Sequence, residues 1–415
     1  MLIAFDGTTL TPGRTGVGYY TEHLLQHLAR EVVTTGDEIV VVSNKPIDTQ
    51  APLPPHVRVH DGHRFPIRIG WMQLRAASAL GALRPDVAHF TNGMMPIGSP
   101  VATVVTVHDM SLRLYPNCHP VRRVLLNRPL MHIAIQQATA IVTVSNSARR
   151  DLLRFHGVPP DRVAVVHEAA SPVFRPMADR ARLEDMRARY GLPQRFMLYV
   201  GTIEPRKNLM RLMSAFAEAR KAGIAQQLVC VGPYGWSSRD LAGHIERLGI
   251  EREVHFTGYL PFEHLPALYN LGDFFVFPSL YEGFGLPVVE AMACGLPVIT
   301  SKTSSLGEIA GDAAETIDPL DLDALTDAIV RLATDAELRR ARAEQGLQRA
   351  RSFSWSQTAR DMLAVYHRAA GVTAPSQTHT PVDAGGEPFD SERENAFLAQ
   401  DKRVPVKSMS RSRLS

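Results

Sequence analysis

Residues 274–300 of this 415-residue chain read FFVFPSLYEGFGLPVVEAMACGLPVIT and contain a complete strand, loop and helix. The apolar run Phe274–Phe277 predicts a buried strand, as in a parallel sheet. Pro287 suits the start of a helix, because a residue in the first turn needs no partner for its N–H, and Gly295 suits the end of that helix. Leu296–Thr300 predicts the next strand. The stretch is therefore one βαβ unit of a parallel sheet.

The loop inside this unit has the chemistry of an anion site. A helix start offers N–H groups without partners and the positive end of the helix dipole. Gly283 and Gly285 let the backbone come close to a phosphate. Glu282 and Glu290 would repel a phosphate, so we expect these carboxylates to accept hydrogen bonds from hydroxyl groups instead. Because a sugar and a ribose flank a diphosphate with such hydroxyls, the loop predicts a nucleotide-sugar site.

The same alternation of apolar runs and helical patterns extends over most of the chain. It predicts parallel sheets covered by helices. Pro172 and Pro176 interrupt the series and indicate a linker between two doubly wound domains, with a crevice at the carboxyl ends of their strands where ligands commonly bind. The predicted strands are Leu2–Phe5, Ile39–Ser43, Val87–Phe90, Val101–Val107, Ala140–Val144 and Val163–Val166, then Met197–Val200, Gln227–Val231, Val254–Phe256, Phe274–Phe277 and Val298–Thr300.

These patterns predict an α/β protein of five segments. Residues 373–415 are rich in Pro, Gly, Ser, Thr and charged side chains and lack recurring apolar positions, which indicates disorder. The segments are a first Rossmann-like domain (1–172), a linker (173–195), a second Rossmann-like domain (196–353), a terminal helix that crosses back to the first domain (354–371) and a largely disordered basic tail (372–415).

Composition excludes several classes of protein. Forty-five Lys and Arg against 42 Asp and Glu leave a formal charge of +3, which does not point to nucleic acid. Cys118, Cys230 and Cys294 match no metal spacing and no disulfide framework, so we expect a reducing, cytoplasmic environment. No signal peptide and no apolar run of about 18 residues are apparent.

The run Glu282–Glu290 resembles the E-x7-E motif of retaining glycosyltransferases with two facing Rossmann-like domains, the GT-B architecture, and more narrowly of family 4. The similarity continues through Ala291–Ile299 and Ser304–Ala314. The resemblance implies that Glu282 contacts the donor sugar, as a candidate catalytic residue, and that Glu290 holds the ribose. It also implies that donor-binding backbone amides come from Gly283, Phe284, Gly285 and Leu286.

The segment Val200–Asn208 resembles the basic phosphate-binding site of the same family. Its cations Arg206 and Lys207 follow a strand and open a helix, and they are expected to neutralise the departing diphosphate without a metal. Many relatives carry an Arg where this chain has Thr202. The division of that role between Arg206 and Lys207 therefore stays open.

Two positions of the first domain complete the expected site. Gly16 lies in a loop after the first strand that resembles a phosphate-contacting loop of family 4, whereas its glycine spacing is a poor dinucleotide fingerprint, which disfavours a dehydrogenase. His108 follows the strand Val101–Val107, and the resemblance implies that this candidate catalytic residue contacts the donor sugar near the reacting carbon. A simple βα turn and a core histidine are the alternatives for these two positions.

Neither a metal nor another cofactor is expected. Asp321-Leu-Asp323 looks like the D-x-D metal motif of a different glycosyltransferase architecture, but helix capping explains it better. The stretches Arg64–Arg75 and Arg122–Arg128 could rest on anionic lipid or be solvated helix faces. The expected partners are a nucleoside-diphosphate sugar, a glycan or lipid-linked acceptor and the inner face of a membrane, and not nucleic acid.

The resemblance implies a metal-independent hexosyltransferase of polysaccharide biosynthesis. The sequences of residues 200–208 and 106–109 resemble the corresponding segments of bacterial enzymes of surface polysaccharide assembly, several of which use GDP-mannose. Mannosyl transfer from GDP-mannose is the favoured interpretation, and UDP-hexose or dTDP-rhamnose is the alternative. Two rivals come from other classes: a nucleotide-sugar epimerase would release sugar and nucleotide without an acceptor, and a silent nucleotide-sugar binder would have lost key carboxylates or cations.

Overall fold

A computed structural model describes residues 1–14, 16–60, 65–235 and 240–372. Within these ranges the chain forms two wholly parallel sheets. The first has the strand order β3-β2-β1-β4-β5-β6-β7 and the second has the order β10-β9-β8-β11-β12-β13. The strands are β1 (Leu2–Asp6), β2 (Glu38–Val42), β3 (Val57–His60), β4 (Val87–Phe90), β5 (Ala102–Val107), β6 (Ala140–Thr143), β7 (Val163–Val165), β8 (Phe196–Val200), β9 (Gln227–Val231), β10 (Val254–Gly258), β11 (Phe274–Phe277), β12 (Val298–Ser301) and β13 (Glu315–Ile317).

Helices follow most strands of both domains, whereas the β2–β3 and β4–β5 connections, all of whose residues are described, contain no helix. The helices are α1 (Gly16–Thr35), α2 (Arg68–Leu74), α3 (Ala76–Leu83), α4 (Ser111–Leu114), α5 (Val121–Gln137), α6 (Asn146–His156), α7 (Arg180–Tyr190), α8 (Leu209–Lys221), α9 (Leu241–Leu248), α10 (Leu265–Leu271), α11 (Leu286–Ala293), α12 (Ser304–Ala310), α13 (Leu322–Thr334), α14 (Ala336–Ala350) and α15 (Trp355–Ala369).

The predicted α/β class and the two Rossmann-like domains are confirmed. Every apolar run predicted as a strand forms one, with ends displaced by at most two residues. Two strands were not predicted, β3 and β13, and both lie at sheet edges. An edge position alone does not explain this, because the edge strands β7 and β10 were predicted. The polar residues of β3 (VRVH) and β13 (ETI) interrupt their apolar runs.

The strand order places the candidate residues at one crevice. In the first sheet the order reverses between β1 and β4, and in the second between β8 and β11. Loops at the carboxyl ends of such strands form the ligand site of doubly wound sheets. His108 follows β5, beside β4, while Arg206 and Lys207 follow β8 and Glu282 follows β11.

The segment predicted as a linker, residues 173–195, contains a helix. α7 occupies its middle part and packs against α10 of the second domain. The Met177 N–H donates to Asn270 Oδ1 at 2.8 Å, and the Tyr190 hydroxyl bonds His264 at 2.5 Å. The segment therefore covers the second domain rather than running free between the two.

The terminal helix α15 returns to the first domain, where it packs on α1. Ser354 caps its start by accepting a hydrogen bond from the Gln357 N–H at 3.1 Å. Arg360 pairs with Glu31 at 3.3 Å on the α1 face. The predicted disordered basic tail lies outside the described residues, apart from its first position.

Candidate active site

The loop between β11 and α11 directs its carbonyl groups toward protein donors. Ser305 Oγ donates to the carbonyl oxygens of Glu282 and Phe284, at 2.9 Å each, and Ser145 Oγ donates to that of Gly283 at 2.6 Å. In the described part of the chain, no protein acceptor is recorded for the N–H groups of four successive residues, Gly283, Phe284, Gly285 and Leu286. Four such donors at the start of a helix form an anion-binding site.

Gly283 brings this loop against the backbone of the first domain. A Cβ atom built on Gly283 would lie 1.8 Å from the carbonyl oxygen of His108 and 3.0 Å from the Asp109 side chain. Only glycine allows this approach. The two domains are therefore in direct contact at the base of the crevice, with the His108 carbonyl facing the loop.

Gly283→Ala is expected to force the domains apart at this contact and to reduce turnover by roughly tenfold to 100-fold, because small displacements of reacting groups are costly. Steady-state rates measure the effect. Gly81→Ala is the matched control, since a Cβ at Gly81, within α3, meets no atom within 4 Å. A Gly283→Ala enzyme with the turnover of the control would contradict the close approach.

Glu282 lies between two cations. Its Oε2 accepts from Arg206 Nη1 at 3.0 Å and its Oε1 from Lys207 Nζ at 2.5 Å. Burial favours the neutral carboxyl, but Arg206 and Lys207 outweigh burial and hold the pKa of Glu282 below its ordinary value. Glu282 is therefore ionised at neutral pH and can accept hydrogen bonds from sugar hydroxyls.

Arg206 and Lys207 differ in what their side chains contact. Arg206 is buried, and its guanidinium donates to Glu282, to the Tyr281 carbonyl and, at 2.7 Å, to Glu204 Oε1. The Lys207 ammonium lies 4.9 Å from the Phe277 ring centroid and is bonded to Glu282, yet an ammonium has three N–H donors. We infer that Arg206 fixes the loop after β11 and that Lys207 is the cation available to a phosphate.

Glu290 lies on α11 and is only partly buried. The Tyr269 hydroxyl donates to its Oε2 at 3.0 Å. Burial raises the pKa of Glu290 to about 7; the Tyr269 bond opposes this shift and the negative charge of Glu168 adds to it. Hydroxyl groups of a ligand that donate to Glu290 would therefore favour its ionised form, the carboxylate.

His108 is partly buried, and both of its ring nitrogens lie within hydrogen-bond distance of an oxygen atom. Its Nδ1 lies 3.1 Å from Glu168 Oε1 and its Nε2 lies 2.9 Å from the Thr91 carbonyl oxygen. Only an imidazolium donates from both nitrogens. Burial lowers the pKa of His108, but the Glu168 carboxylate outweighs burial and raises it above the ordinary value. Both ring nitrogens are thus occupied, and the carbonyl oxygen of His108 faces the loop after β11.

Gly16 is the first residue of α1 and is exposed, with open space where a side chain would be. The preceding residue, Thr15, lies outside the described residues. Gly18, by contrast, is packed, since its Cβ would lie 3.0 Å from the Thr9 carbonyl. One turn after Gly16, the Tyr20 ring meets His108 edge-on with centroids 4.6 Å apart. Through the contact of Tyr20 with His108, the start of α1 lies at the crevice.

The contact between the two domains extends beyond Gly283. The Tyr281 hydroxyl donates to Asp151 at 2.8 Å and accepts from the Met110 N–H at 3.2 Å. Glu308 of the second domain accepts from the Ser147 N–H at 2.9 Å, at the start of α6, where the helix dipole favours a carboxylate. These bonds connect the crevice loops of both sheets.

Sequence reasoning missed Glu168 and Tyr269. Glu168 follows β7 as part of a polar pair with His167, which is the same signal that singled out His108 and Asp109. Tyr269 carries no such signal, because it is an apolar-patterned residue within α10. Its contact with Glu290 arises only from tertiary packing.

The D-x-D sequence is a helix cap, as predicted: Asp321 Oδ1 accepts from the Ala324 N–H at 2.9 Å and starts α13. Over residues 1–14, 16–60, 65–235 and 240–372, no group of three or more His, Cys, Asp or Glu side chains is arranged to hold a metal ion. Within the same residues, no helix combines the length and the apolar character that crossing a membrane requires.

Comparison with known proteins places this geometry in a family. Residues 14–171 match the description "Glycosyltransferase Family 4" and residues 184–349 match "Glycosyl transferases group 1". The chain is similar to O-antigen chain mannosyltransferase B of Escherichia coli, with 33% identity over 88% of this chain and 99% of that protein.

Two solved structures share the fold. Sucrose-phosphate synthase from Thermosynechococcus elongatus superposes with a TM-score of 0.70 at 23% identity, over 88% of this chain and 98% of that one. Anabaena Alr3699/HepE, solved with UDP and glucose, gives 0.68 at 19% identity, over 89% of this chain and 100% of that one. At these identities the likeness concerns the architecture alone, which is the predicted GT-B arrangement.

Proposed function

The chain belongs to glycosyltransferase family 4, and from that premise we propose that this hexosyltransferase moves mannose from GDP-mannose to a glycan or lipid-linked acceptor in polysaccharide biosynthesis, with retained anomeric configuration. The observation that carries the proposal is the row of four N–H donors at the start of α11, with Lys207 beside it and a carboxylate at each end. Similarity over almost the whole length to an O-antigen mannosyltransferase favours mannose as the sugar.

In the proposed reaction an acceptor hydroxyl oxygen bonds to the anomeric carbon of the sugar. The bond from that carbon to the diphosphate oxygen breaks, and the hydroxyl proton passes to the departing phosphate. Lys207 and the N–H groups of Gly283–Leu286 receive the charge that builds on the diphosphate. Glu282 accepts from sugar hydroxyls and Glu290 from the ribose. No metal is required in this proposal.

A UDP-hexose is the main alternative donor, because UDP and glucose occupy the structure of Alr3699/HepE; dTDP-rhamnose is the other. An epimerase would need no acceptor, so release of free sugar and nucleotide in the absence of acceptor would identify it. A catalytically silent nucleotide-sugar binder is disfavoured because Glu282, Glu290 and Lys207 are all present. Lys207 is bonded to Glu282, and Tyr269 is bonded to Glu290.

We further propose a cytoplasmic enzyme in peripheral contact with the inner face of a membrane. Helix α5 carries exposed Val121 and Leu125 beside Arg122 and Arg128, the mixture expected at an anionic lipid surface. Of the other predicted stretch, Arg64–Arg75, only Arg64 lies outside the described residues.

A thermal-shift panel with GDP, UDP and dTDP tests the donor. A ligand at 100 times its dissociation constant should stabilise the protein by about 2.7 kcal/mol, and only GDP is expected to do so. Lys207→Ala should lose the shift, whereas Lys221→Ala, an exposed cation on α8, should keep it. A large shift with UDP or dTDP alone would replace the proposed donor, and no shift with any nucleotide would refute the donor site.

A further inference from the structure

One face of the first domain carries positive charge almost without acids. Residues 111–160 contain seven arginines and one carboxylate, Asp151, whereas the whole chain is nearly balanced. Asp151 is itself buried and bonded to Tyr281, so it does not compensate the surface. The arginines are Arg113, Arg122, Arg123, Arg128, Arg149, Arg150 and Arg154.

A groove of about 500 Å³ opens on this face between α4, α5 and α6. It has an apolar wall and a basic rim, which is the combination that suits an anionic group attached to an apolar chain. We call it the α4–α6 groove. Its walls include Arg113, Arg128, His132, His156, Val124 and Phe155.

Among the described residues, no carboxylate is recorded within ion-pair distance of Arg113 or Arg128. The Arg113 guanidinium lies 5.7 Å from the Phe155 ring centroid, and the Nδ1 atoms of His132 and His156 are 3.0 Å apart. Burial, His132 and Arg113 together lower the pKa of His156 to about 4. His156 is therefore neutral near pH 7, and the positive charge of the groove comes from Arg113 and Arg128, which an anion would balance.

The groove is connected to the donor site by the two helices that frame it. Helix α6 begins where Ser145 bonds Gly283 and ends at the groove with His156, about 16 Å further on. Helix α4 begins at Ser111, three residues after His108. A group held in the groove is therefore separated from the reacting carbon by a distance that an intervening glycan can span.

We propose that the α4–α6 groove seats the phosphate or diphosphate group of a lipid-borne acceptor. Arg113 and Arg128 bind the phosphate oxygens, as guanidinium forks do. The apolar chain leaves along α5, where Val121 is 72%, Leu125 68% and Leu126 56% exposed. These three exposed side chains favour a lipid over a nucleic acid or a free phosphate. The inference rests on the proposed function, because it names where that reaction holds its acceptor.

Vesicle flotation tests the inference with the full chain. Phosphatidylcholine vesicles containing a polyprenyl diphosphate are compared with vesicles brought to the same surface charge with phosphatidylglycerol. The expected result is roughly tenfold tighter binding to the polyprenyl diphosphate vesicles, as two charge-assisted contacts provide. Arg113→Gln/Arg128→Gln should abolish this preference. Arg58→Gln/Arg340→Gln, which removes two exposed charges that do not line the groove, should keep it.

Three outcomes would overturn the inference. They are equal binding to both kinds of vesicle, a preference that survives in Arg113→Gln/Arg128→Gln, and inorganic pyrophosphate that binds as tightly as the lipid-borne group. The proposed function has a separate readout, because the assay contains no donor. Retained sugar transfer to a soluble glycan acceptor alongside any of these outcomes would reject the groove and leave the glycosyltransferase assignment intact.

Discussion

Lys207→Ala is expected to lower sugar transfer by roughly 10²–10³-fold, the loss seen when one charge-stabilising donor is removed from a reacting centre. In the structure Lys207 is the cation with N–H donors to spare beside the four loop amides. Glu282→Ala should have a comparable effect, because its carboxylate orients the sugar. Initial rates with the donor varied will show whether the loss falls on kcat, as expected for charge that develops during reaction.

Lys221→Ala is the control for this pair. Lys221 has the same charge but lies exposed on α8, paired with Glu218 at 2.8 Å, and its loss should leave the rate unchanged. Near-normal transfer by both Lys207→Ala and Glu282→Ala would refute the site. Unfolding temperatures close to that of the wild type are needed to show that a loss of rate is not a loss of fold.

Arg206→Ala is expected to destabilise the protein by roughly 3–5 kcal/mol, because it leaves buried carboxylates without their cation. Arg206 is 8% exposed and pairs with Glu204 and Glu282, whose side chains are also buried. Urea unfolding followed by circular dichroism measures the change. This variant separates a role in holding the loop from the role of Lys207 in catalysis.

The matched control is Arg340→Ala. Arg340 forms an exposed pair with Glu337 at 3.1 Å on α14, and such pairs contribute about 1 kcal/mol or less. If Arg206→Ala unfolded at the same urea concentration as Arg340→Ala, Arg206 would not hold the loop as described.

The strands of the sheet centres were predictable because burial on both faces gives continuous apolar runs. β11 and β9 match their predicted limits, Phe274–Phe277 and Gln227–Val231. β3 was missed because it alternates apolar with polar residues. β13 was missed because two of its three residues, Glu315 and Thr316, are polar. α7 was missed because neighbouring prolines suggested a linker, and its packing against α10 is a tertiary contact that no local pattern contains.

The donor loop could be predicted because one local segment supplies the glycines, the helix start and both carboxylates. What the sequence could not show is how the residues face one another across the domains. The contact of His108 with the donor sugar stays a prediction, and its ring contacts with Glu168 and Thr91 are tertiary features that the local sequence does not contain. Arg206 and Lys207 are adjacent in sequence and equal in charge, and they are distinguished by their contacts: Arg206 also bonds Glu204 and the Tyr281 carbonyl, whereas Lys207 bonds Glu282.

The measurement that tests the central claim most directly is a product analysis with GDP-mannose, whose sugar is α-linked to the diphosphate. The protein is incubated with this donor and a glycan acceptor, and the anomeric configuration of the new linkage is read by nuclear magnetic resonance. We predict an α-mannosyl product that forms only with acceptor present and disappears in Lys207→Ala. A β-linked product, or free mannose and GDP released at the same rate without acceptor, would contradict the account.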